Sequence, residues 1–140
     1  MSSTAPLTGA AVNIDGSGRL AQSSVVVASP AGASETIICS VTIPSGLAFT
    51  AGVILAGWAA LTVGTSGTAV TLKLRKTNVS GSTVQTTGAL NATAAQLVTR
   101  GILGFDATPT EGGVYVLTLT VANGAATSAV SAAQLFAVAI

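Results

Sequence analysis

Residues 36–72, a run of 37 between Glu35 and Lys73, carry no charged side chain. A stretch like this enters a membrane, or it belongs to a fold whose surfaces are largely covered. A helix crossing a bilayer needs about 20 consecutive, predominantly apolar residues. The best window, "LAFTAGVILAGWAALTV" over residues 47–63, is shorter than that and is interrupted by Thr50, Gly52, Gly57 and Thr62. Turn signals bracket it, "IPSG" before and "GTSGT" after. Beyond these the pattern alternates. In "TIICSVTIP", Ile37, Cys39, Val41 and Ile43 fall on one face, with Ile38, Ser40 and Thr42 opposite. In "AVTLKLRK", Val70, Leu72 and Leu74 oppose Thr71, Lys73 and Arg75. Period two is the signature of strands, and no membrane span is expected.

The window then reads as a long strand that is apolar on both faces. Val53, Leu55, Gly57, Ala59, Leu61 and Val63 take one side; Ile54, Ala56, Trp58, Ala60 and Thr62 take the other. An antiparallel sheet normally shows water a polar face, and here neither face is polar. The second face calls for a cover outside the strand's own core. Val53, Ile54, Ala56, Trp58 and Ala60 are therefore the expected oligomer interface.

Further strands are expected at 36–43, 51–63, 68–76, 82–87, 97–105 and 114–122, and through "AAQLFAVAI" at the end. "NIDGSGRL" reads as a turn on Asp15-Gly16 joining two short strands, and "KTNVSGSTVQTT" as a hairpin turning at Ser80-Gly81. About eight strands with short turns and no convincing helix predict an all-β chain, an antiparallel, jelly-roll-like β-sandwich. Residues 35–140 form the expected sandwich domain. Residues 1–34, rich in Ser, Ala, Gly and Pro, read as an extended N-terminal arm. Its "SVVVAS" run, with Val25, Val26 and Val27, suits strand addition to an exposed edge of a partner.

The chemistry of the chain is sparse. Charged residues make up 6% of the sequence, against roughly 25% in ordinary globular proteins. The net charge of +1 leaves no electrostatic footprint for nucleic acid. Histidine is absent, which removes the commonest general base and metal ligand. Cys39, the single cysteine, falls on an apolar face and reads as a small core hydrophobe. Asp106 and Glu111 flank a Pro/Gly turn, where acids are ordinarily solvated rather than paired for catalysis. "NIDGSG" lacks the closing acid of a calcium loop. No enzymatic activity and no cofactor are expected. Lys73, Arg75 and Lys76 gather three of the five basic residues on one strand, as a protected edge or a contact for a partner.

The order of segments "ETIICSVTIPSG", "GWAALTVGTSGTAVTLKLRK" and "GGVYVLTLTVANGAATSAVSAAQLFAVAI" resembles small β-sandwich domains in virion proteins of tailed bacteriophages. The resemblance spans roughly residues 35–140 and is one of strand pattern and composition. It carries over no catalytic residues. It implies a structural virion protein, assembled in the host cytoplasm, and foremost a head decoration (cement) protein that binds and stabilises the capsid shell. Its implied partners are further copies of itself, as a homotrimer, and the major capsid protein or another virion protein. The alternative it implies is a tail, baseplate or head-fibre domain that binds a host surface glycan.

Overall fold

The computed structural model describes residues 11–12, 19–24, 34–43, 51–64, 68–93, 96–110, 112–122 and 129–140. They form ten strands: β1 (Ala11–Val12), β2 (Arg19–Ser24), β3 (Thr36–Thr42), β4 (Val53–Thr62), β5 (Thr68–Lys76), β6 (Thr83–Thr86), β7 (Leu90–Ala92), β8 (Leu97–Asp106), β9 (Val114–Ala122) and β10 (Ala129–Ala139). No helix occurs among the described residues, so none there is long and apolar enough to cross a membrane.

Two antiparallel sheets result. The first has the order β1-β2-β10-β4-β8, and the second β3-β9-β5-β6, with β7 also pairing β5. Because β9 takes one edge of β5, β6 and β7 share the other: β6 bonds near Lys73–Arg75 and β7 near residues 68–70. Counting β6 and β7 as one broken strand, and setting aside the two-residue β1, eight positions remain in chain order. The first sheet then reads 1-8-3-6 and the second 2-7-4-5. That is the jelly roll, two Greek keys wound into a double sheet. The expected all-β, jelly-roll-like sandwich is the fold observed.

The core lies between the sheets, and period two decides who enters it. Leu55 and Leu61 from β4, Leu72 and Leu74 from β5, Leu117 and Leu119 from β9 and Leu135 from β10 are fully buried. Each such side chain contributes on the order of 1.5–3 kcal/mol by leaving water. Gly57 on β4 is small because Leu117 reaches into its place. A Cβ built there would lie 3.2 Å from one Leu117 methyl, closer than ordinary packing allows. From β9, Tyr115 and Val121 join Leu117 and Leu119 in the core.

Three expectations need correcting. In β3 the register against β9 shifts between Ile37 and Cys39, a bulge that inserts one extra residue. Ile38 therefore joins Cys39, Val41 and Ile43 in the core, while Ile37 sits opposite Thr118 and is only half-buried. The segment 90–92, where no strand is expected between 82–87 and 97–105, is the short strand β7. And part of the segment read as an arm belongs to the sandwich: β2 is hydrogen-bonded along β10 from Gln134↔Ser24 to Val138↔Arg19. Without β2, β10 would be an open edge. Strands β1 and β2 do pair across the Asp15-Gly16 region, Ala11 with Gln22 and Val12 with Ala21. Val25, Val26 and Val27 lie outside the described residues.

Candidate functional site

Strand β4 runs in the middle of the first sheet, between β10 and β8. Its inner residues Val53, Leu55, Ala59 and Leu61 are fully buried. Val53 is therefore a core residue, and it drops out of the interface expected for this strand. The other four, Ile54, Ala56, Trp58 and Ala60, point outward and are half-buried. In the single chain, the second apolar face of β4 is a surface.

The register shows what surrounds them. Ile54 lies between Val138 of β10 and Phe105 of β8, Ala56 between Phe136 and Leu103, and Trp58 between Gln134 and Gly101. Next come Ala60 between Ala132 and Thr99, and Thr62 between Ala129 and Leu97. Trp58 is steered by a hydrogen bond from its Nε1–H to Gln134 Oε1 at 3.2 Å, and it lies across from a glycine that leaves it room. Leu97, Leu103 and Phe105 are 62%, 66% and 49% exposed. Cross-strand rows of this kind form a contiguous apolar face, which on soluble proteins marks an interaction site. At one corner, Ile54, Leu103, Gly104, Phe105 and Gln85 of the facing sheet line a groove of about 350 Å³.

The exposed members on β8 were not legible in advance. In "LVTRGILGFD" the set that turns inward carries Arg100 and Asp106 while the outward set carries no charge, so periodicity points to the wrong face. The burial of Val98, Ile102 and Asp106 shows which set faces the second sheet.

The basic cluster has a different fate. Arg75 lies on the outer surface of the second sheet and grips Glu35 with two nitrogens. Its Nη2–H donates to Oε1 at 2.9 Å and its Nε–H to Oε2. Nη1–H donates to Gly81 O and to Thr83 Oγ1. Thr118, fully buried, donates to the same carboxylate at 2.6 Å, and Lys73 approaches it at 3.9 Å. The Arg75 hydrogen bond outweighs burial and holds the Glu35 carboxyl below its ordinary value. Lys76 turns elsewhere, onto Asp106 Oδ2 at 2.8 Å and Thr108 O at 3.1 Å. The three cations expected to contact a partner are thus engaged within the chain, and paired charges of this kind hold local structure.

Asp106 is 7% exposed. Besides Lys76 it accepts hydrogen bonds from Tyr115 Oη–H, from the Thr108 N–H at 3.0 Å and from the Thr108 hydroxyl. Burial works to raise its pKa, but the bonds from Lys76, Tyr115 and Thr108 together keep it below the ordinary value. Tyr115 is raised, first by burial and then by the neighbouring carboxylate. The acid imagined as half of a catalytic pair is thus a fully partnered structural group. Glu111 lies outside the described residues.

Burial raises the Cys39 thiol to about 12. Cys39 should therefore resist a soluble maleimide in the folded protein and react stoichiometrically after denaturation. Rapid labelling under native conditions would contradict its place in the core. Among the described residues no cluster of metal-ligating side chains occurs.

No family model matches this chain, and no curated protein matches it. Solved structures do. A chain in the structure of the infectious bursal disease virus Gt strain superposes with a TM-score of 0.53 at 12% identity, over 84% of this chain and 30% of that one. A chain of the T13 particle of the same virus gives 0.49 at 10% identity, over 84% and 31%. A structure titled "CBM4 structure and function" gives 0.39 at 16% identity, over 92% and 86%. The protein spans less than a third of the length of the viral chains it matches. At 12% identity the likeness to the Gt-strain chain is one of fold.

Proposed function

We propose that this chain is a structural virion protein that works by burying the outer face of its first sheet against other subunits. The observation that carries the reading is that face itself, with half-buried Ile54, Ala56 and Trp58 and exposed Leu97, Leu103 and Phe105. A 6% charge content leaves little else to keep such a surface apart in solution. The superposition on a viral chain supports the same direction. Within this class the reading is a bacteriophage head decoration protein, homotrimeric and bound to the major capsid protein. Its role is mechanical and not catalytic: binding the assembled shell and not the free subunits stabilises the shell by linkage.

The test is Ala56→Glu. Ala56 stands between Phe136 and Leu103, so a carboxylate there puts an unpaired charge in the middle of the contact while leaving the core untouched. The expected result is a smaller assembly for the variant than for the native chain, with an unchanged far-ultraviolet spectrum. A native chain that sediments as one chain at micromolar concentration would overturn the reading. Density for the protein on the outside of a purified capsid would locate it within the virion.

A second reading, a tail or head-fibre domain that binds a surface glycan, is favoured by one observation. The groove beside Phe105 offers an aromatic face and the Gln85 amide together, a combination suited to a sugar ring. Saturation-transfer signals from a host glycan, lost in Phe105→Ala, would select that reading over the first.

A further inference from the structure

We propose that two copies of this chain join edge to edge through β8, antiparallel and centred on Gly101, so that their first sheets run on as one. The proposal concerns the strand edge and holds whether or not the chain comes from a virion.

Among the described residues, strand β8 pairs only with β4. The Val63 N–H donates to Gln96 O at 2.9 Å, so the even-numbered residues of β8 exchange hydrogen bonds with β4. Alternation along an antiparallel ladder then turns the N–H and C=O groups of Leu97, Thr99, Gly101, Leu103 and Phe105 the other way. Among the described residues no hydrogen bond reaches those groups. All five residues are exposed.

Sheet edges are usually protected, and the other edges of this sandwich are. β1 has two residues, β3 carries a bulge, and β6 and β7 are four and three residues separated by a break. Short edges, bulges and charges are the ordinary devices against further pairing. β8 has none of them. It is ten residues long, contains no proline and keeps unbroken register with β4 from Asp106 to Leu97. Its one cation, Arg100, is turned from the edge and held by Val70 O and Gly88 O at 3.2 and 2.6 Å.

The occupant that fits is a second β8. Centred on Gly101, the pairing sets Leu97 opposite Phe105, Thr99 opposite Leu103 and Gly101 opposite itself. All five edge-directed residues are then hydrogen-bonded pairs, and no charged side chain on the outer face meets another. Shifting the centre to Thr99 or Leu103 leaves edge groups unpaired at one end. In strand addition the main-chain bonds supply affinity and the side-chain match supplies register. Here both are met by the chain itself.

The experiment uses the full chain in a Cys39→Ser background. In a hydrogen-bonded antiparallel pair the Cα atoms lie about 5.5 Å apart, within the roughly 4.4–6.8 Å that a disulfide spans. Gly101 accepts a side chain, since the nearest atom to an added Cβ is Gly57 O at 3.8 Å. Gly101→Cys should therefore cross-link to a two-chain species under mild oxidation. Thr99→Cys alone should not, whereas a mixture of Thr99→Cys and Leu103→Cys should. Cross-linking of Thr99→Cys as ready as that of Gly101→Cys, or none by either route, would overturn the register and the proposal. Without cysteines, sedimentation should give an even number of chains, a pair or a pair of trimers, and Leu103→Lys should weaken the pair about tenfold or more. Hydrogen exchange by NMR provides a second readout, with slow exchange expected at residues 97, 99, 101, 103 and 105 of the purified protein. Fast exchange there, or protection only when another protein is added, would mean that a second β8 is not the occupant.

Discussion

Leu117→Ala is expected to lower the unfolding free energy by about 2–5 kcal/mol, the range for truncating a buried leucine in a core that cannot collapse around the gap. This site is poorly placed to collapse. Leu117 comes from β9, at the middle of the second sheet, and its methyl groups fill the space over Gly57 of β4, at the middle of the first. Gly57 has no side chain to fill the gap, and its backbone is held in a hydrogen-bonded sheet that cannot follow a shrinking side chain. Leu103→Ala, by contrast, removes a side chain 66% exposed and should cost the single chain less than about 0.5 kcal/mol. Urea melts of the two variants read the difference directly. Similar losses for both would mean that the face carrying Leu103 is already covered in solution. That result would itself be evidence for the assembled state.

The contrast between these leucines shows where legibility ended. β4, β5 and β9 were readable because their inward sets are strictly apolar and each pairs on both sides, so alternation survives. The β3 bulge was not. Ile37, Ile38 and Cys39 are all apolar, and a one-residue slip among them leaves no mark on the pattern. β7 is three residues, too short to show a period, and exists only because β5 offers it an edge. The basic cluster was visible as composition, but its meaning depends on Glu35, forty residues from Arg75 in sequence. Nothing local in the sequence predicts that pair. The outer face of β4 was legible in kind, since an apolar set opposite a core set has to go somewhere. Its extent onto β8 was not, because strand order is a property of the fold and not of the strand.

The two candidate surfaces serve assembly in different ways. The outer face offers apolar area without direction, and it can meet many partners. The β8 edge offers directed main-chain groups, and it fixes register. A protein using both gains affinity from the first and geometry from the second. Ala56→Glu reads the face and the Gly101→Cys cross-link reads the edge, because Ala56 lies at the centre of the face and Gly101 at the centre of the edge.

The pH dependence of stability should be a plateau with two unequal limbs. Histidine is absent, so no side chain with an ordinary pKa near neutrality tilts the middle. On the acid side, Asp106 and Glu35 are held below their ordinary values of 3.8 and 4.5. A depressed carboxylate contributes stability that is complete above the unfolded pKa and is lost as pH falls through the folded one. The acid limb should therefore open just below pH 5 and steepen as pH falls, at up to about 1.4 kcal/mol per pH unit for each proton taken up. On the alkaline side, Cys39 is raised from 9.0 to about 12 and Tyr115 is raised from 10.0. Stability from raised groups is complete below the unfolded pKa and is lost as pH rises, so the alkaline limb opens near pH 9. Asp106→Asn tests the acid limb. The amide oxygen can still accept from Thr108, but an NH2 group then meets the Tyr115 hydroxyl and the Lys76 ammonium, which loses its counter-charge. Because Lys76 is 32% exposed, the cost at pH 7 should fall at or below the lower end of the about 3–5 kcal/mol seen when a buried pair is broken. More telling than the loss is the slope. With one of the two depressed carboxylates gone, the variant should lose stability more gradually between pH 5 and pH 3 than the native chain. Parallel acid limbs in denaturant melts of the two proteins would show that Asp106 is not the group that titrates there.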